Sequence, residues 1–251
     1  MTATTQNILS QRVQNLAESE TLKMARMARE LKALGHDVIS LSLGEPDFDT
    51  PDHIKDAAYQ ALKDGYTKYT PVAGLPELTK AISEKFRRDN QLEYRPEQIV
   101  VSNGAKQTVY NLCQALLDPG DEVVVLAPYW VSYWEIVKLS GGIPVPVYAG
   151  VDRDFKPSPN QVATAITERT KFVLFSSPCN PTGSVFDRDE LEAYANAIAP
   201  HQHVLIVSDE IYEYINFTHE HVSIGSFPQV KDRTITINGF AKGFAMTGWR
   251  L

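Results

Sequence analysis

From residue 99 onward the chain carries short apolar runs closed by Gly, Pro, Asn or Ser. They are 99–102 (IVVS), 122–127 (EVVVLA), 172–176 (FVLFS), 204–208 (VLIVS) and 234–237 (TITI). A weaker sixth lies at 143–148 (IPVPVY). The runs are continuous rather than alternating, as strands covered on both faces are, and this predicts buried parallel strands. Between them the period changes. Val109, Leu112, Cys113, Leu116 and Leu117 share one helical face of 104–117, and Leu191, Tyr194, Ala195 and Ile198 share one face of 187–199. The alternation predicts an α/β fold, a largely parallel sheet with flanking helices.

The first hundred residues read differently, as helices over 20–34, 51–63 and 75–89 joined by loops that carry Gly44-Glu45-Pro46 and Tyr69-Thr70-Pro71. They predict an arm and a covering segment. The stretch 210–233 is aromatic and polar and is expected to hold one more short strand with a loop. No internal repeat or low-complexity tract breaks the pattern.

At 251 residues the chain suits one large domain or slightly more. Hydrophobic residues at 43% and charged residues at 22% match an ordinary globular protein and exclude a disordered tail or a membrane protein. The net charge of −7, with no basic block, argues against a nucleic-acid partner. Cys113 and Cys179 lack any CxxC or Cys/His spacing, so neither a disulfide framework nor a metal site is indicated. The first twenty residues carry no apolar signal core, and a cytoplasmic protein is expected.

Ligands of open parallel sheets sit beyond the carboxyl ends of the strands, so the residues just after each run matter most. They are Asn103-Gly104-Ala105-Lys106, Pro128-Tyr129-Trp130, Pro178-Cys179-Asn180-Pro181, Asp209-Glu210-Ile211-Tyr212 and Asn238-Gly239-Phe240-Ala241-Lys242. A phosphate-type turn, an aromatic plate, an amide, a carboxylate and a lysine thus reach one rim. Pyridoxal 5'-phosphate needs these groups: a lysine for a Schiff base, an acid for its ring nitrogen, donors for its phenolic oxygen, an aromatic face and backbone donors for its phosphate.

Taken singly, each motif has a plainer explanation. Asp209 followed by Glu210 suits a helix N-cap, Asn180-Pro181-Thr182-Gly183 is an ordinary turn, and Gly104 fits a loop for steric reasons. Trp130 suits a core, and Lys106 a solvated surface. The ordered set is more specific. The stretches LSLGEPDFDTP, YTPVAGLPELTKAI, SNGAKQTVYNLCQALLDPGDEVVVLAPYWVSY, SSPCNPTG, SDEIYE and NGFAKGFAMTGWRL resemble the class I aminotransferases of fold type I, in their prokaryotic-type aspartate aminotransferase branch. The resemblance runs from Ser10 to the end.

That resemblance implies a pyridoxal-phosphate fold with an N-terminal arm and part of a small domain in 1–50 and the cofactor-binding large domain in 51–251. It implies that Lys242 carries the cofactor and, once released by substrate, moves the Cα proton. A free lysine of pKa about 10.4 is protonated at neutral pH, so burial and neighbouring cations must lower it. Asp209 would face the ring nitrogen, where a protonated pyridine about 4 Å away at an effective dielectric of about 20 gains about 4 kcal/mol. Asn180 and Tyr212 would bond the phenolic oxygen, and Trp130 would cover the ring. Gly104, Ala105, Lys106 and Arg250 would hold the phosphate at a helix N-terminus. Gly44 would let a substrate carboxylate approach the backbone, joined at the substrate by Trp130 and Asn180. Lys106 is also a candidate for the distal carboxylate of an acidic substrate. Tyr69 would reach the phosphate of a partner subunit, which implies a homodimer.

The chain departs from the family at Ala241, often Ser, and at Ala105, often Gly or Ser; backbone donors survive both changes. Family members continue past the position of Leu251 through the rest of the small domain and an arginine that grips the substrate's α-carboxylate. The chain is therefore expected to be a fragment, with most of the small domain missing, and a poor catalyst by itself. The activity implied is ping-pong transamination between an L-amino acid, aspartate or glutamate foremost, and a 2-oxo acid. Alternatives are an aromatic or prephenate-type acceptor, another fold-type I reaction such as a lyase, or an inactive cofactor-holding remnant.

Overall fold

The structure is a computed structural model that describes residues 8–17, 20–41, 43–218 and 220–251. Helices α1 (Gln11–Gln14), α2 (Glu20–Ala33), α3 (Asp52–Lys63) and α4 (Pro76–Asn90) lead into α5 (Ala105–Leu116). Then come β1 (Glu122–Ala127), α6 (Ser132–Leu139), β2 (Ile143–Tyr148), α7 (Pro159–Ala165), β3 (Thr170–Ser176), α8 (Arg188–Ile198), β4 (Leu205–Asp209) and β5 (Thr234–Ile237). The predicted helices are all present within two residues at their ends. Among the described residues one sheet of five strands forms, in the order β2-β1-β3-β4-β5, with every pair parallel.

Side chains alternate across a strand, so each strand feeds two cores. Val124, Leu126, Val173, Phe175 and Ile206 pack against Val162 of α7 and Leu191, Tyr194, Ala195 and Ile198 of α8. Val123, Val125, Phe172, Leu174, Val207 and Ile237 pack against Val109 and Cys113 of α5 and Tyr133, Ile136 and Val137 of α6. α8 is closed at its start by a reciprocal pair: the Asp187 side chain accepts from the Glu190 amide and Glu190 accepts from the Asp187 amide.

Two segments differ from the sequence reading, and the weaker run is borne out. Residues 99–102 form no strand; Ile99 is buried but Val100 is exposed, and the Val101 amide bonds Ala73 O at 2.9 Å instead of a neighbouring strand. The weaker run at 143–148 is a strand, and as an edge paired only with β1 it tolerates Pro144 and Pro146, which cannot donate to a ladder. The expected strand within 210–233 is absent from its described residues. Two 3-10 turns, Ile224–Ser226 and Lys231–Arg233, take its place. Its buried apolar side chains, Ile224, Phe227 and Val230, recur every third residue, the period of a 3-10 turn rather than of a strand.

A buried polar network joins α4 to the end of β4. Lys85 and Asn90 of α4 both bond Glu213, with Asn90 Nδ2 at 2.7 Å from Oε2. Glu210 accepts from Ser208 at 2.9 Å and from Ser223 at 2.5 Å, and contacts His221 Nε2 at 2.9 Å. Donors on several sides offset the cost of taking two carboxylates out of water.

Leu191 is 1% exposed between α8 and the sheet. Leu191→Ala is expected to cost about 3 kcal/mol and Leu191→Met less than about 1.5 kcal/mol, since only the first leaves a cavity. The urea midpoints of the two variants against the parent check this.

Candidate active site

Strand parity decides which side chains meet at the carboxyl rim. Ser176 and Asp209 are register partners on β3 and β4, and by alternation they lie on the same sheet face as Leu174 and Val207, the face covered by α5 and α6. Asp209 is 3% exposed. Its Oδ1 accepts from the Ile211 amide at 3.2 Å and its Oδ2 from the Tyr133 hydroxyl at 2.5 Å. The capping geometry and a site geometry therefore coexist at one carboxylate. Burial pushes the Asp209 carboxyl up to about 6, against the two hydrogen bonds, which pull it down, and with the Glu210 charge adding to the rise.

Tyr212 lies on the turn after β4, and Asn180 Nδ2 stands 3.4 Å from its hydroxyl, so the two sequence candidates for one acceptor do meet. Burial raises the Tyr212 phenol, which the Asn180 contact opposes, keeping it a donor at neutral pH. Lys242 Nζ lies 5.7 Å from the centre of the Tyr212 ring and donates to Gly44 O at 2.6 Å. The 45–50 loop is fixed to the segment after Lys242: Thr50 Oγ1 donates to Ala245 O at 2.5 Å, Trp249 Nε1 donates to Thr50 Oγ1 at 3.1 Å, and Thr247 bonds Glu45. Between them lies an open cavity of about 310 Å³.

At the other end of the rim, Gly104 caps α5 with φ of +78°, a conformation that suits glycine. A Cβ there would stand 2.5 Å from Arg250 Nη2, so the guanidinium lies directly on the glycine. Arg250 Nη1 also donates to Thr247 O at 2.8 Å. Lys106 Nζ sits 5.0 Å from the centre of the Trp130 ring, whose edge meets Tyr133 with centroids 5.5 Å apart. Burial first and then Arg250 lower the ammonium of Lys106; burial lowers Lys242, with Glu45 opposing and Arg250 assisting. Arg250 and Lys106 thus bring two cations to the N-terminus of α5, a place that favours an anion.

Of the sequence candidates, Gly44, Gly104, Ala105, Lys106, Trp130, Asn180, Asp209, Tyr212, Lys242 and Arg250 come together along this rim in two linked groups. Tyr69 does not join them; it is fully exposed. Sequence reasoning missed Tyr133, Glu45 and Thr50. The first was findable, because a tyrosine on the apolar face of a helix with Ile136 and Val137 must place its hydroxyl on something.

The Gly104 cradle, the Asn180–Tyr212 pair and the dry Asp209 carboxylate lie along one rim of a doubly covered parallel sheet. The model of the family aminotransferase class I and II matches residues 36–251, and the chain belongs to that family. Among its relatives, an aspartate aminotransferase of Bacillus sp. (strain YM-2) is 52% identical over 246 residues, covering 97% of this chain and 62% of the relative. The aspartate/prephenate aminotransferase of Thermus thermophilus is 51% identical over 243 residues, with 97% and 62% covered. The solved structure of aspartate aminotransferase from Thermus thermophilus with maleate superposes with a TM-score of 0.92 at 50% identity, covering 96% of this chain and 63% of that one. The chain thus spans about 62% of the length of such curated relatives. No helix of the described residues is long and apolar enough to cross a membrane.

The folded-state value of about 6 for Asp209 lies above the ordinary 3.8, so its contribution to stability is full below about pH 4 and is lost as pH rises through 6. Asp209→Asn removes the buried charge. It is expected to stabilise the cofactor-free chain at pH 8 by on the order of 2 kcal/mol, a gain that vanishes near pH 4. Urea unfolding at the two pH values measures it.

Proposed function

We propose that this protein is a pyridoxal-phosphate-dependent aminotransferase that moves an amino group between an L-amino acid, aspartate or glutamate, and a 2-oxo acid in two half-reactions. The observation that carries the proposal is the convergence of Lys242, Asp209, the Asn180–Tyr212 pair and the Gly104–Arg250 cradle on one rim. Pyridoxal phosphate, when bound, supplies an aldehyde that receives the amino group and a ring that takes up the electron pair released at Cα.

The chain's own residues divide the remaining work. The amides opening α5 at Ala105 and Lys106, with the Arg250 guanidinium, bind a phosphate ester at the positive end of the helix. Asp209 offers an anion to a ring N–H⁺, a pairing that restores the charge its burial disfavours. Asn180 and Tyr212, which meet at 3.4 Å, would donate to a phenolic oxygen, and Trp130 would cover a ring face. Lys242 would hold the cofactor by its amine and, as a free amine, would take up the proton at the substrate Cα; its lowered basicity suits that task. Lys106 and the backbone of Gly44 receive substrate carboxylates. The maleate of the Thermus thermophilus structure is a dicarboxylate, which supports an acidic substrate. A second reading, a prephenate-type acceptor, is favoured by the aspartate/prephenate name of a 51% identical relative.

The same reading divides the chain into an arm with part of a small domain, 1–50, and a cofactor-binding domain, 51–251. It assigns exposed Tyr69 to the phosphate of a second subunit in a homodimer. Two unpaired thiols, Cys113 and Cys179, suit a reducing cytosol.

Borohydride treatment of the full-length protein loaded with pyridoxal phosphate is expected to leave the cofactor mass on the peptide holding Lys242; an adduct elsewhere overturns the assignment. In a separate, unreduced sample aspartate alone should yield the aminated cofactor and oxaloacetate, whereas ammonia or an elimination product would mark a lyase. Gly104→Ala drives a methyl into Arg250 and is expected to weaken cofactor retention at least about tenfold, measured by dialysis against phosphate.

A further inference from the structure

Tyr133 is 1% exposed, on the α6 face that packs against the sheet, and its hydroxyl ends 2.5 Å from Asp209 Oδ2. The contact joins residues 76 apart in sequence, so it exists only because α6 lies across the end of β4. Ser176, beside Asp209 in the sheet register, presents a buried hydroxyl that makes no hydrogen bond of ordinary geometry in the structure. It also lies close enough to the phenol to oppose its rise in pKa.

We propose that Tyr133 is a positioning residue for Asp209: with the Ile211 amide on the other oxygen, its hydroxyl locks the carboxylate plane and leaves one lone pair of each oxygen for the ring nitrogen of the cofactor. The inference rests on the reading of Asp209 as the partner of that nitrogen. Two donors on different elements, one from a helix and one from a turn, define the plane of a carboxylate that a single tether would let rotate. Burial and then the Asp209 charge push the Tyr133 phenol well above its ordinary 10, so it stays a donor through the working pH range. The other titratable groups facing this pair are Glu210, Tyr212 and Cys179. None of them donates to either Asp209 oxygen among the described residues.

Tyr133→Phe in the full-length protein keeps the ring and its edge contact with Trp130 while removing the donor. In cofactor-free protein the Asp209 carboxyl, followed by carbon-13 NMR, is expected to titrate about one unit above its wild-type midpoint. Pyridoxal phosphate is expected to leave the loaded variant about tenfold faster at pH 8. A fluorotyrosine at position 133, a stronger donor of nearly the same shape, should move the Asp209 midpoint down, and it decides the matter if the phenylalanine variant does not fold. An Asp209 midpoint that neither replacement moves overturns the role of Tyr133 while leaving the cofactor reading intact. A wild-type protein that takes up no pyridoxal phosphate overturns that reading, and this role with it.

Discussion

A carboxylate at the end of a strand covered on both faces is costly unless something answers its charge, and much of this molecule is arranged around that problem at Asp209. β4 lies between β3 and β5, so water does not reach its last residue. The turn that follows gives one amide, and α6 gives one hydroxyl. These two donors hold the group without neutralising it, and its carboxyl still rises to about 6. The buried carboxylate therefore favours a cationic partner.

The opposite demand is made a short distance along the rim. Lys106 and Arg250 approach the N-terminus of α5, and Lys106 and Lys242 lose basicity by burial and by Arg250. Repulsion of this kind is tolerable when an anion joins the cluster. The rim thus places a buried carboxylate and a cluster of cations apart from one another. Gly104 allows the close approach because a side chain there would collide with the guanidinium.

The scaffold under the rim is held by polar as well as apolar contacts. Lys85 and Asn90 pin α4 to Glu213, and Glu210 is wrapped by Ser208, Ser223 and His221, so the residue after Asp209 is fixed as firmly as Asp209. Thr50 and Trp249 tie the loop carrying Gly44 to the segment carrying Lys242 across nearly two hundred residues of sequence.

The fold class and most of the rim were legible from residue order. A continuous apolar run such as VLIVS suits a strand covered on both faces, as in a parallel sheet, and a parallel sheet presents its ligands just past such runs, where Asp209, Asn180 and Lys242 stand. Helix spans followed from period and caps, which are local properties. Tertiary structure alone decided that IVVS at 99–102 pairs with a loop, that 143–148 is an edge able to carry two prolines, and that Ile224, Phe227 and Val230 turn with period three. It also decided that Tyr133 meets Asp209. Local sequence encodes which faces are apolar; which distant hydroxyl reaches a buried oxygen depends on how α6 crosses β4, and no neighbouring residue in the chain records that.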